Sequence, residues 1–201
     1  MKKTLALLIA SLGLAACSSA PTHYYTLLPP APEPAPPAVV AAGLQFEMAA
    51  VRIPVQVDQP QLVVRQDSGT LAILETARWS APLVDEFHDA LASQLEQQLG
   101  TRNLEGLPKA AGQPVLSLQT DVRRFESVPG RYALIDVVWN LRLRGDGVER
   151  RSLTCSSRIS QPASVELSSL VQAHQRAIDE LAKRIAGTAR HWVRNPASGC
   201  S

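Results

Sequence analysis

YALIDVVWNLRLRGDGVERRSLTCSSRI, residues 132–159, decides the architecture. Ile135, Val137, Trp139, Leu141 and Leu143 fall on every second residue, and Asp136, Asn140, Arg142 and Arg144 occupy alternate positions. Successive side chains of a strand point to opposite faces, so the pattern predicts a strand over 132–144 with one buried face. Gly145-Asp146-Gly147 is a turn signal, and 148–159 reads as the returning strand. Leu153, Cys155 and Ile159 share a face of it, so Cys155 is expected to point inward. Upstream, 115–125 is a further strand, with Leu116, Leu118 and Val122 on one face. Three long strands joined by tight turns imply antiparallel pairing.

Working outward, Leu44, Phe46 and Met48 alternate with Gln45 and Glu47, and 61–65 and 70–76 flank the hairpin signal Asp67-Ser68-Gly69. Two segments have helical period instead. Leu83, Phe87, Leu91, Leu95 and Leu99 recur every four residues and Gly100 stops the run. Ser80 is expected to cap this helix, with Pro82 in its first turn, Asp85 and Glu86 on its N-terminal dipole, and Trp79 and Val84 as a staple. The second helix is expected over 165–193. Its stripe is Leu167, Leu170, Val171, His174, Ile178, Leu181, Ile185, Ala189 and Trp192. Both helices have one apolar face to bury. The expected fold is therefore α+β, a two-layer sandwich with a mainly antiparallel sheet and two helices on one face.

The N-terminus has a different character. Met1-Lys2-Lys3 precedes an apolar run of about a dozen residues, the layout of a secretory signal. The run is shorter than the roughly 20 residues that cross a membrane. Leu14-Ala15-Ala16-Cys17 resembles the bacterial lipobox, in which the cysteine is acylated and the signal is cut before it. The alternative is an ordinary secreted protein with a plain Cys17. Ser18, rather than Asp, after the cysteine follows the sorting pattern for the outer membrane. The expected organisation is thus a cleaved signal over 1–16, a lipid-anchored tether with a short strand and a Pro-rich linker over 17–43, and one α+β domain over 44–201. The run Tyr-Tyr-Thr-Leu-Leu at 24–28 has strand propensity. It is expected to pin to the domain edge while PPAPEPAPPAVVAA, 29–42, loops back; an unpaired tether is the alternative.

Loss of Lys2 and Lys3 with the signal takes the 20 basic residues to 18, matching the 18 acidic ones. The mature chain carries no excess basic charge of the kind that marks a nucleic-acid binder. Cys155 and Cys200 remain. An oxidising periplasm invites a disulfide between them, worth about 3–4 kcal/mol for a loop of this size; a buried thiol and a loose tail cysteine are the alternative.

Chemistry is sparse. The chain has no nucleophile elbow, P-loop, GxGxxG, HExxH or CxxC motif. His88 beside Asp85 and Asp89 has no second nitrogen or sulfur ligand at metal spacing, so a solvated helix face is expected. His174 reads as a satisfied core histidine. No cofactor is expected. Arg142, Arg144, Arg150 and Arg151 flank the 145–147 turn, and Arg123 and Arg124 lie on the preceding strand. If they gather at one sheet end they offer contacts for lipid phosphates or an acidic partner; a solvated hairpin end is the ordinary reading.

The lipobox, Tyr24-Tyr25-Thr26-Leu27, Ile53-Pro54-Val55, the run from Asp58 to Arg65, and Arg78-Trp79-Ser80-Ala81-Pro82-Leu83 occur in a telling order. In that order and spacing the chain resembles the ABC-type transport auxiliary lipoproteins, the PqiC/YmbA-like group, over essentially its whole mature length. It departs from the group after Pro54, where Val55-Gln56-Val57 replaces a PDYL-like run. The resemblance implies a non-enzymatic adaptor on the periplasmic face of the outer membrane. Its partners would be an MCE-domain tunnel protein and an integral-membrane transporter component, in a system that moves lipid between membranes. A ring-shaped partner would favour self-association into a homo-oligomer. Tyr24, Tyr25, Arg65 and Trp79 carry the resemblance and are the residues it implicates in partner contact. A stand-alone envelope lipoprotein that binds lipid or peptidoglycan is the other reading.

Overall fold

The computed structural model of the protein describes residues 20–30, 43–145 and 147–200. The signal segment, Cys17, Ser18, Asp146 and most of the Pro-rich stretch lie outside the described residues. Among the described residues seven strands and two helices follow in chain order: β1 (His23–Tyr25), β2 (Gln45–Arg52), β3 (Gln61–Arg65), β4 (Leu71–Trp79), α1 (Leu83–Leu99), β5 (Val115–Val128), β6 (Tyr132–Arg144), β7 (Arg151–Pro162) and α2 (Leu167–Arg194).

The α+β class holds, but the strands form two mixed sheets rather than one. β2-β5-β6-β7 make a four-stranded sheet, and β1-β4-β3 a three-stranded one. The antiparallel meander β5-β6-β7 is the part that tight turns dictate. The pairs β1–β4 and β2–β5 are parallel. Parallel neighbours need long crossover connections, and these pairs are separated by other strands and, for β2 and β5, by α1. Alternation along a strand reports which face is buried and not which strand lies alongside.

The core sits between the four-stranded sheet and the helices, with α1 against β2 and α2 against β6 and β7. Ile135, Val137, Trp139, Leu141 and Leu143 of β6 face it, and the Trp139 indole N–H donates to Ser157 Oγ at 3.1 Å. The expected α2 stripe is buried from Leu170 to Trp192, with Leu167 half-buried. Leu27, Leu62, Ala77 and Trp79 of the smaller sheet and its flanks join the same core.

β5 changes phase within its length. Val122 pairs with Val137 and Arg124 with Asp136, so Arg123 is an extra residue in a bulge. Leu116, Leu118 and Val122 face inward before the bulge and Phe125 after it, and two consecutive arginines are left on the surface.

The cap of α1 differs from expectation. Pro82, not Ser80, stands at the N-cap, with no side-chain cap bond. Ser80 is still held by the sheet, its N–H donating to Tyr25 O at 2.8 Å, so the helix starts three residues later. With the cap at Pro82, Trp79 is no longer placed for a staple with Val84. At the other end Gly100 takes φ 67° and donates its N–H to Glu96 O, a left-handed cap that glycine adopts without steric cost. Gly145 is required for another reason: a Cβ there would come within 2.8 Å of Pro114 Cα.

Cys155 and Cys200 are joined in a disulfide, with Cα atoms 5.7 Å apart. Cys155 points into the core, as alternation on β7 implies, and the bridge ties the C-terminal tail to that strand. A disulfide sulfur carries no proton, so the 3.4 Å approach of Cys200 Sγ to Thr154 O is a packing contact and not a hydrogen bond.

Candidate functional site

The described chain enters at Ala20, and β1 lies parallel to β4 with His23, Tyr24 and Tyr25 opposite Ala77, Arg78 and Trp79. Just beyond β1 the backbone is clasped. The Leu27 N–H and the Thr26 hydroxyl both donate to Glu86 Oε2, at 2.7 and 2.8 Å, and the Ser80 hydroxyl donates to Glu86 Oε1. Gln175 Nε2 of α2 donates to Thr26 O at 3.1 Å. Leu27 is fully buried, and Glu86 sits with it inside the fold. One helix-borne carboxylate therefore gathers the entering strand, the end of β4 and its own helix. Sequence position alone makes Glu86 a dipole acid of the first turn; its Thr26 and Leu27 donors lie 60 and 59 positions away.

The four residues implicated in partner contact have different surroundings. Tyr24 is 67% exposed, whereas Trp79 is 5% exposed and meets Phe125 edge-on with ring centroids 6.1 Å apart. Trp79 thus has its face inside the core. Tyr25 is half-buried and lines an open groove of about 660 Å³ with Leu28, Pro29, Val171 and Gln175. Arg65 lines a second cavity, about 290 Å³, at the far end of β3. Its Nε donates to Glu126 Oε1, and its Nη1 reaches Ser68 O at 3.2 Å. Arg123, Arg124, Val57, Val63 and Leu71 complete most of that cavity's wall.

The arginines do not gather at one sheet end. Arg144 pairs with Val115 at one end of β5, and Arg124 lies nine residues along it, beyond the bulge. Arg144 pairs with Glu47, whose carboxyl would be raised by burial but is held below its usual range by Lys109, Arg144 and Ser117. Arg151 donates to Trp192 O and Val193 O and lies over the Trp192 ring, closing the C-terminus of α2.

His88 bonds Asp89 at 3.0 Å and, unforeseen, Glu105 of the following loop at 2.7 Å. Burial alone would lower its pKa, but the hydrogen bonds to Asp89 and Glu105 outweigh that and raise it. Among the described residues no group of three or more His, Cys, Asp or Glu side chains is placed to hold a metal.

One pair with catalytic chemistry does come together: Ser127 Oγ lies 2.9 Å from His174 Nε2. His174 stacks on Phe125 at 3.9 Å and its Nδ1 has no hydrogen-bond partner, so no third group orients the imidazole. Burial pushes its pKa down to about 3, which makes it a poor base at neutral pH. The pair is a core contact that satisfies Nε2 and leaves Nδ1 unpaired, and it carries a stability signature. The unfolded chain protonates this histidine near 6.5, whereas the folded one resists down to about 3. The unfolded state therefore binds more protons in that window, and stability falls as pH falls through it. Between pH 7.5 and 5 the loss from this residue is roughly 2 kcal/mol. Denaturant titrations of wild type and His174→Gln at both pH values check it: the variant should lack that share of the acid sensitivity, and equal slopes would refute the assignment.

Compared with protein families, residues 25–186 match the model of the ABC-type transport auxiliary lipoprotein component. The chain belongs to that family. The auxiliary lipoprotein is also similar to solved structures. One is a Xanthomonas campestris protein of family DUF330, 20% identical, with TM-score 0.57, covering 87% of this chain and 99% of that one. Another, described only as an uncharacterized protein, is 16% identical with TM-score 0.59, over 84% and 98% of the two chains. At these identities the likeness shows the fold. A comparison with curated proteins finds no match. Family membership makes the auxiliary lipoprotein a membrane-anchored envelope protein associated with ABC-type transport.

Proposed function

We propose that the mature auxiliary lipoprotein begins at Cys17, is acylated there, and is sorted by Ser18 to the periplasmic face of the outer membrane. From that position it couples an MCE-type tunnel and its membrane transporter to the outer membrane for lipid traffic. The family match over 25–186 carries this reading. It is supported by the lipobox, by exposed Tyr24 immediately after the anchor segment, and by the lack of a competent catalytic group around Ser127 and His174. Tyr24, Tyr25 and Arg65 are the partner contacts of choice, because each reaches solvent at least in part, whereas Trp79 is enclosed.

Several acyl chains make a lasting anchor, whereas a chain without them has no equivalent hold. Cys17→Ser should therefore move the protein from the membrane to the soluble periplasmic fraction, measured by fractionation after a high-salt wash that screens surface charge contacts; retention in the washed pellet would count against the anchor. For the coupling itself, the lipidated protein is crosslinked mildly in cells and purified from membranes. Co-purification of an MCE-type protein is the expected result. Its absence, with the acylated protein recovered, removes the adaptor reading and leaves the stand-alone envelope role.

A further inference from the structure

The position of the anchor relative to the fold is constrained more tightly than the Pro-rich stretch suggests. Residues 31–42 come after β1, so they do not separate lipid from domain. Cys17 is six residues from His23, and six extended residues span at most about 20 Å. Because β1 runs parallel to β4, the strand direction at His23 points back along the part of β4 that precedes Ala77. Six residues back from Ala77 is Leu71.

That pole has a distinct surface. Leu71 and Ile73 are 43% and 50% exposed, and Val55 is exposed beside the cavity wall formed by Pro54, Gln56 and Val57. Arg65 pairs with Leu71 across the hairpin. The β5 bulge adds Arg123 and Arg124, whose side chains are 62% and 56% exposed. Acids lie here too: exposed Glu75, two residues beyond Ile73 on the same face of β4, accepts from Gln61 Nε2. Glu126, 8% exposed, lies under Arg65 and Arg124; Asp121 pairs with Arg123; Asp67 accepts the Gly69 and Thr70 amides within its turn. Guanidinium groups thus reach outward among apolar side chains while the main carboxylate partner stays inside.

The geometry points to this pole, with Leu71, Ile73, Arg123 and Arg124 at its centre, as a membrane-contact face that lies on the anionic phospholipid surface holding the anchor. Apolar side chains enter the interface and arginines meet lipid phosphates, a second attachment added to the acyl chains. The inference rests on acylation at Cys17, proposed above. It concerns how the domain sits on the membrane and not which protein it serves.

The test uses the mature lipidated chain, its acylation verified by intact mass, in vesicles of phosphatidylethanolamine and phosphatidylglycerol. A nitroxide is placed at Ile73→Cys or, as the control, at Leu107→Cys, an exposed site in the loop that leads to the other end of β5. The native cysteines are bonded or acylated, so the added thiol takes the label. Expected is preferential collision with oxygen at 73 and with a water-soluble relaxant at 107. Arg123→Glu with Arg124→Glu should return the 73 label to water; each arginine near an anionic surface is worth a factor of about 5 in binding. Because Arg123 and Arg124 pair with Asp121 and the buried Glu126, Arg123→Gln with Arg124→Gln is the second variant, which removes both positive charges without adding carboxylates and should shift the label the same way; circular dichroism verifies the fold of each. An aqueous label at 73 on acylated protein overturns the face and leaves the anchor standing. A mass without acyl chains removes the anchor and this inference with it.

Discussion

Glu86→Ala should lower the unfolding free energy by about 3–4 kcal/mol and loosen the N-terminal strand from the domain. The substitution leaves three donors without their acceptor: the buried Leu27 N–H and the Thr26 and Ser80 hydroxyls. A buried donor left unmade costs about 1–3 kcal/mol. The hydroxyls are only part-buried and recover some of their loss from water. Glu86→Gln keeps one acceptor oxygen but turns an NH₂ towards a donor, so it should lose roughly half as much. Denaturant unfolding gives the ranking, and hydrogen exchange at residues 25–28 locates the effect. An unchanged midpoint for the alanine variant, with the Leu27 amide still protected, would show that the clasp holds nothing.

Removing the disulfide should cost a similar amount. A cross-link spanning 45 residues restricts the unfolded chain by about 3–4 kcal/mol in the chain-entropy model. For a chain of this length that is roughly a 10 °C fall in Tm. Cys200→Ser is the cleaner variant, because Cys200 is exposed whereas Cys155 packs in the core. Reduction of the wild type should reproduce the shift, and Cys200→Ser should then show no further response to reductant. A Tm within about 2 °C of the oxidised wild type would mean that the tail is indifferent to its attachment.

Local pattern made much of the layout legible. Alternation placed Cys155 inward and the β6 hydrophobes on one face, and the four-residue recurrence in α2 put His174 inside. These are properties of single elements. Pairings across long connections left no mark: nothing in the residues of β1 or β2 says that β4 and β5 run parallel beside them. The clasp escaped for the same reason, because Glu86 and Leu27 are 59 residues apart. So did Ser127 and His174, at 47. The bulge, by contrast, does leave a local mark. In Val122-Arg123-Arg124-Phe125, two consecutive polar residues interrupt strict alternation, which marks a bulge. The cavity with Arg65 depends on that bulge, so the more interesting surface of the protein was written as an irregularity.

The attachment at β1 also decides how the protein responds to force. Tension applied at Ala20 along the strand loads the three β1–β4 positions and, just behind them, the Glu86 bonds in shear, so they must yield together rather than peel one by one. Load passes from the N-terminus into β4 and α1 before it reaches the segment 31–42. Mechanically the connection is a rivet and not a rope. An envelope that strains or shifts would carry the domain with it at fixed height, because the load enters the fold at β1, ahead of the proline-rich stretch in the chain.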